Sequence, residues 1–295
     1  MTSASSERLR AHVCRIEGER HPQSSPEALK AAAQYIRASF EDVGLLAAAE
    51  PFSFQGASYD NIVAVKEGED PSAPRVLIGA HYDSVRGTSG ADDNASGVAA
   101  LLEAARLLTP GSFASTIEFV AFNLEENQGT TYRVGSRHHA SEARRKGIRY
   151  AGALVLEMVG YTDSRPDTQR VPKLIAWKRI PRTADFLAVT ADGRSKRLLN
   201  VMRDAAADVA PDLSVVLFRT PFRGWLVWQT RLSDNASFWS QAYPSVMITD
   251  TAFLRNPHYH MVSDTHDTLD YAFMAAVTDT TVEAARRLAV SSGVA

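Results

Sequence analysis

Four short apolar runs constrain this chain more than any other feature: "RVLIGA" (75–80), "STIEFVAF" (115–122), "YAGALVLEMV" (150–159) and "YPSVMIT" (243–249). They do not alternate cleanly between apolar and polar residues, so a strand built from any of them is apolar on both faces and needs cover on both. Between them lie segments of helical periodicity. In "SPEALKAAAQYIRASFEDVGL", Leu29, Ala32, Ala33, Ile36, Phe40 and Val43 share one face behind a Ser-Pro start, and "ASGVAALLEAARLLT" stops at Pro110-Gly111. Further helices are expected near 130–145, from about Leu198 to Val209, and from about Leu269 onward. Further strands are expected in "NIVAVKE" (61–67), "DFLAVT" (185–190) and "LSVVLF" (213–218). The expected fold is α/β: a three-layer α/β/α sandwich around a mixed, mostly parallel sheet.

The 295 residues are read as one domain, 1–295, with residues 1–24 an N-terminal extension or first helix and 160–183 a long surface loop, rich in Pro and Arg. A net charge of -2 and a pI near 6.5 leave no basic field for nucleic acid. The local cluster "EARRKGIR" (142–149) suits a solvated helix C-terminus. Cys14 is the only cysteine, so no internal disulfide forms. No apolar run approaches the ~20 residues of a membrane span, and "MTSASSERLRAHVCRIEGERHPQSS" has no apolar core of the secretory kind. The chain is expected to be cytoplasmic, a trimmed secreted form being the other reading, and its oligomeric state is left open.

The charged residues that follow these strands carry the chemistry. His81 and Asp83 follow "RVLIGA", Glu125 and Glu126 follow "STIEFVAF", Glu157 interrupts the end of "YAGALVLEMV", and His260 comes shortly after "YPSVMIT". Ligands of open α/β sheets gather beyond the carboxyl ends of the strands, so four strand ends would deliver acids and imidazoles to one edge. Taken singly, each has a structural alternative: a hydrogen-bonded histidine, a turn-capping Asp83, an N-cap pair at Asp92-Asp93, a solvated Glu125-Glu126 loop. Glu157 is harder to place without a partner, because its charge would be buried. Together they would crowd like charges into one crevice, which a cation must neutralise.

The stretches "GAHYDSVRGTSGADDNASGVAALLEAARLL", "NLEENQGT", "SDNASFW" with "YPSVMITD", and "NPHYHMVSDTHDTLDY" resemble the M28 family of zinc aminopeptidases, in that family's order, over roughly residues 25–290. The resemblance implies two Zn²⁺ ions held by five side chains. His81 and Glu157 would serve one ion, Glu126 and His260 the other, and Asp93 would bridge both, since the family's His-x11-Asp spacing fits Asp93 rather than Asp92. Glu125 would be the general base, and Asp83 and Asp264 would orient His81 and His260. A cis peptide is expected between Asp93 and Asn94. Two departures stand out: Glu157 occupies a position where many members carry Asp, and "NLEENQG" differs from the commoner wording after the acid pair.

That ligand set suits Zn²⁺, and the implied substrate is a peptide or an aminoacyl amide. In "FRTPFRGWLVWQTRLSDNASFW" (218–239), Trp225, Trp228 and Phe238 are read either as core and surface residues or as a pocket wall favouring apolar N-terminal side chains. The alternatives kept are a glutaminyl-cyclase-like acyltransferase or small-amide amidohydrolase, and a non-catalytic binding domain of the same fold. No G-x-S-x-G elbow and no nucleotide-binding glycine motif is present.

Overall fold

The computed structural model describes residues 3–126, 129, 131–176 and 180–290. Its eight strands are β1 (Ala47–Phe54), β2 (Ala57–Lys66), β3 (Arg75–His81), β4 (Ile117–Phe122), β5 (Tyr150–Glu157), β6 (Phe186–Ala191), β7 (Ser214–Arg219) and β8 (Ser245–Thr249). They form one sheet in the order β1-β2-β4-β3-β5-β8-β6-β7. The central quartet β4, β3, β5 and β8 is parallel throughout. β1 and β2 add an antiparallel hairpin at one margin, and β6 runs antiparallel to β8 with β7 parallel to it at the other.

The helices are α1 (Ser6–Ile16), α2 (Pro26–Asp42), α3 (Gly97–Leu108), α4 (Val134–Arg145), α5 (Lys196–Val209), α6 (Asn235–Ser240) and α7 (Tyr271–Val290). On one face α7 packs against α3 and α5, with α1 against α3 and α7; α4 and α6 pack together on the other. The apolar runs divide their side chains between these layers with the period of two that a strand imposes. Val76, Ile78 and Ala80 enter the larger core with Ile117, Phe119, Ala121, Leu154 and Leu156. Leu77, Val120, Phe122, Ala153 and Val155 enter a second core with Phe238 and Tyr243. Continuous hydrophobicity in these runs therefore reflects two cores, one per face.

β1 has no counterpart in the sequence expectations. Its "AAAEPFSF" contains Ala and Pro, which are poor strand formers, but it lies at the sheet margin, where Pro51 is tolerated. The N-terminal segment supplies α1, whose Leu9, Val13 and Ile16 are buried. An isolated bridge joins Asp163 to Ala184, and among the described residues between them Lys173–Ile175 forms one 3-10 turn.

Candidate metal centre

The parallel quartet brings its carboxyl ends to one edge, and the polar residues emerge there. His81 is the last residue of β3 and Glu157 the last of β5. Glu125 and Glu126 follow β4, and His260 comes after β8. Three of the turns carry a left-handed non-glycine backbone: Leu124 (φ 54°) just before Glu125, Met158 (φ 48°) just after Glu157, and His260 itself (φ 59°). Such residues concentrate where the surrounding fold dictates side-chain placement at a site. The Asp93–Asn94 peptide is cis.

Asp93 stands at the middle. Its Oδ1 is 3.4 Å from Nε2 of His81, and its Oδ2 is 3.1 Å from Nε2 of His260. Glu157 Oε2 lies 3.5 Å from the His81 nitrogen, and Glu126 Oε1 lies 3.7 Å from the His260 nitrogen. Ligand atoms of His81, Asp93 and Glu126 all fall within 4.8 Å of one another. Nε2 of both imidazoles and Oε1 of Glu125 are buried without a hydrogen-bond partner among the described residues. Buried polar atoms left this way need something to bind, and two imidazoles with three carboxylates are a donor set that fits zinc.

The electrostatics agree. Burial opposes the charge on Asp93, but His260 and His81 outweigh it and lower its pKa. Burial likewise opposes a charged His81, yet Glu157, Asp83 and Asp93 raise its pKa. Glu125 and Glu126 are raised well above the carboxylate range, by burial first and then by neighbouring acids. A centre whose acids resist ionisation among themselves is one that a divalent cation stabilises.

Two further acids hold this geometry from behind. Asp83 accepts the backbone N–H of Glu125 at 3.0 Å and of Glu126 at 3.1 Å, with its Oδ1 3.6 Å from Nδ1 of His81. Asp264 was expected to orient His260. Instead its carboxylate accepts the N–H groups of Asp92 (2.9 Å) and Asp93 (3.1 Å), because the two successive amides of that turn face it. Asp92 turns away from the centre, receiving N–H donors from Gly160 and Asn256.

Several contributors had gone unassigned in the sequence. Ser233 donates to Oε2 of Glu157 at 2.5 Å. Asp234 is fully buried, and burial, offset in part by His81 but reinforced by Glu157 and Asp83, pushes its pKa up to about 7. Both lie in the quoted "SDNASFW", so the signal was present. Tyr259 stacks on His260 with ring centroids 3.7 Å apart. Arg20 had no local signal at all. Its buried guanidinium donates to the carbonyls of Ile16, Gly18, Tyr82 and Gly90, and burial lowers its pKa to about 10 against the charges of Asp83, Asp93 and Asp264.

A cavity of about 700 Å³ opens beside these residues. Asp93, Glu125, Glu126, Glu157 and His260 form one end; Phe186, Ala188, Val216, Phe218 and Met247, from β6, β7 and β8, floor the other. Trp228 lines it and stacks on Phe253. The other two aromatic expectations are corrected. Phe238 is fully buried in the second core against Phe122, Tyr150 and Tyr243, because α6 turns it toward β5. Trp225 is 73% exposed, lies outside the cavity lining, and has the Arg231 guanidinium over its ring at 4.6 Å.

Residues 61–285 match the model of peptidase family M28. The chain belongs to this family. As an M28 member it is a metallopeptidase-class hydrolase, and zinc is the metal the family suggests. The uncharacterized protein YfbL of Escherichia coli is 37% identical over 290 residues, covering 94% of this chain and 86% of that one. A probable leucine aminopeptidase 1 of Trichophyton verrucosum is 28% identical over 228 residues, covering 72% of this chain and 54% of its own length. The M28 chain thus spans about half of that aminopeptidase. The glutaminyl cyclase of Tannerella forsythia shares the fold, with a TM-score of 0.72, 21% identity and coverage of 99% and 100%. Among the described residues no helix is long and apolar enough to cross a membrane.

Proposed function

We propose that this M28 peptidase is an aminopeptidase that holds two zinc ions and removes apolar residues from the N-terminus of peptides. The observation that carries the reading is Asp93, whose two oxygens face two different imidazoles, each with its own glutamate alongside. His81 and Glu157 would hold one ion, His260 and Glu126 the other, and Asp93 both. Bound zinc supplies a water acidified toward neutral pH and polarises the scissile carbonyl.

The side chains do the rest. Glu125, buried with one oxygen free, takes the proton of the attacking water and passes it to the leaving amine. Its raised pKa suits a group that must both accept and return a proton. Asp83 and Asp264 fix the backbone from which Glu125, Glu126 and Asp93 project, so the polar groups need little rearrangement during the reaction. The floor of the cavity, Phe186, Val216, Phe218 and Met247, receives an apolar N-terminal side chain and excludes water.

Metal analysis and turnover of aminoacyl anilides test this together. The expected result is two zinc ions per chain, with Leu and Phe anilides hydrolysed, inhibition by chelator and recovery on adding zinc. One tightly held zinc, with cyclisation of N-terminal glutamine in place of hydrolysis, would overturn it.

A further inference from the structure

Strand alternation splits β6 between two layers. Leu187, Val189 and Ala191 enter the larger core, which leaves Phe186, Ala188 and Thr190 on the cavity face. By strand register Thr190 lies between Met247 of β8 and Phe218 of β7, both of which also line the cavity. An apolar wall therefore holds one hydroxyl. Among the described residues four threonines line the cavity, and three of them have engaged hydroxyls. Thr230 donates to the carbonyl of Val227 at 2.7 Å, Thr249 accepts the N–H of Thr251 at 2.9 Å, and Thr251 donates to Oε1 of Gln169 at 3.1 Å. Oγ1 of Thr190 is buried and has no hydrogen-bond partner among the described residues. A hydroxyl kept from water without a partner is destabilising, and a polar ligand atom would relieve it.

We propose that Thr190 determines specificity: its hydroxyl binds the tip of the substrate's N-terminal side chain, making tyrosine, an apolar body that ends in a hydroxyl, the preferred N-terminal residue. The proposal rests on the aminopeptidase reading above and names the side chain that site favours. Register gives the reach. Glu157 pairs with Thr249, and Thr249 with Ala188. Thr190 is two residues further along β6, set back from the carboxyl edge of the sheet. Two strand spacings across and one two-residue step along separate the Glu157 and Thr190 backbones by roughly 12 Å. Both residues line the cavity, so a substrate whose amine sits near Glu157 lays its side chain along the sheet toward Thr190. Leucine ends short of the hydroxyl, whereas a phenol carries an oxygen to it. Phenol and threonine hydroxyl each donate and accept, so either can supply the proton. Phenylalanine would fill the same space and leave Oγ1 without a partner.

Steady-state kinetics of the zinc-loaded enzyme on Tyr and Phe anilides test this. The expected kcat/KM is about tenfold higher for Tyr, as one neutral hydrogen bond in an apolar pocket gives. Thr190→Val, which keeps the shape and removes the hydroxyl, should abolish the preference, and Thr190→Ser should keep it. Calorimetry with tyramine and phenethylamine makes the same comparison without turnover, tyramine being expected to bind about tenfold more tightly. Equal kcat/KM in the wild type, or a preference that survives Thr190→Val, would overturn the proposal and leave the peptidase reading standing. So would cleavage of Ala anilide with neither aromatic anilide turned over, since the cavity would then lie off the substrate path. If the zinc-loaded enzyme cleaves no anilide at all, the peptidase reading fails, and the two amines decide the Thr190 site by themselves: equal affinity would overturn it.

Discussion

Asp264 holds Asp93 by its backbone: the Asp264 carboxylate accepts the Asp93 N–H at 3.1 Å while both Asp93 oxygens face the two imidazoles. Asp83 does the same for Glu125 and Glu126. The candidate centre is thus built from two acid-gripped turns, each offering buried acid side chains from a fixed main chain.

If that grip sets the ligand geometry, Asp264→Asn should keep the fold and weaken zinc binding by about 10–100-fold, as loss of an outer partner does. Competition against a chromophoric chelator would measure it. Unchanged affinity would mean that Asp264 serves only the local turn.

Glu125→Gln should retain its zinc and lose at least ~10²-fold in kcat, with KM little changed. Metal analysis beside turnover of Leu anilide checks both halves. Loss of metal in this variant would make Glu125 a ligand instead of a base.

Filling the chamber should change selectivity. Ala188 lies on its floor in β6. Ala188→Phe should lower kcat/KM for Phe and Leu anilides by about tenfold or more, and barely touch Ala anilide, given the usual worth of a few methylenes in a pocket. An equal loss on all three substrates would place the chamber outside the substrate path.

Phe238 separates packing from recognition. Phe238→Ala should cost about 3–5 kcal/mol of stability, as large-to-small changes in a core do, with KM for Leu anilide unaltered in the protein that remains folded. Urea unfolding gives the first quantity. A KM change without a stability change would return Phe238 to the pocket.

Stability should also depend on pH through the partly buried Glu50 and the buried His139, a pair away from the candidate metal centre. Burial opposes the imidazolium, but Glu50 outweighs it and raises the His139 pKa above 6.5. Burial likewise opposes the Glu50 carboxylate, and His139 with Asn61 lowers its pKa below 4.5. The raised histidine contributes fully below pH 6.5 and fades as pH climbs through its folded value. The lowered glutamate contributes fully above pH 4.5 and fades as pH falls through its own. Their joint contribution peaks between those limits. Unfolding at constant zinc should therefore show His139→Gln costing roughly 1 kcal/mol more at pH ~6 than at pH ~8.5. A flat difference would refute the pairing.

The residues themselves announced much of this. Apolar runs with no alternation determined a sheet covered on both faces, and charges placed at or after the ends of those runs put His81, Glu125, Glu126, Glu157 and His260 in view. The motif spacing singled out Asp93 over Asp92, and the structure faces Asp93 to both imidazoles while Asp92 turns to Gly160 and Asn256. What the chain order left open was every relationship that depends on rotation about an element or on contacts across long separations. Trp228, Trp225 and Phe238 share one aromatic stretch, yet one lines the cavity, one faces solvent and one fills the core. Arg20 meets the site through the carbonyls of Tyr82 and Gly90, 62 and 70 residues away, groups that any sequence provides. Side-chain pattern is written locally and survives in the sequence. Which face a short helix presents, and which backbone groups a distant guanidinium or carboxylate will find, are decided only when the layers pack.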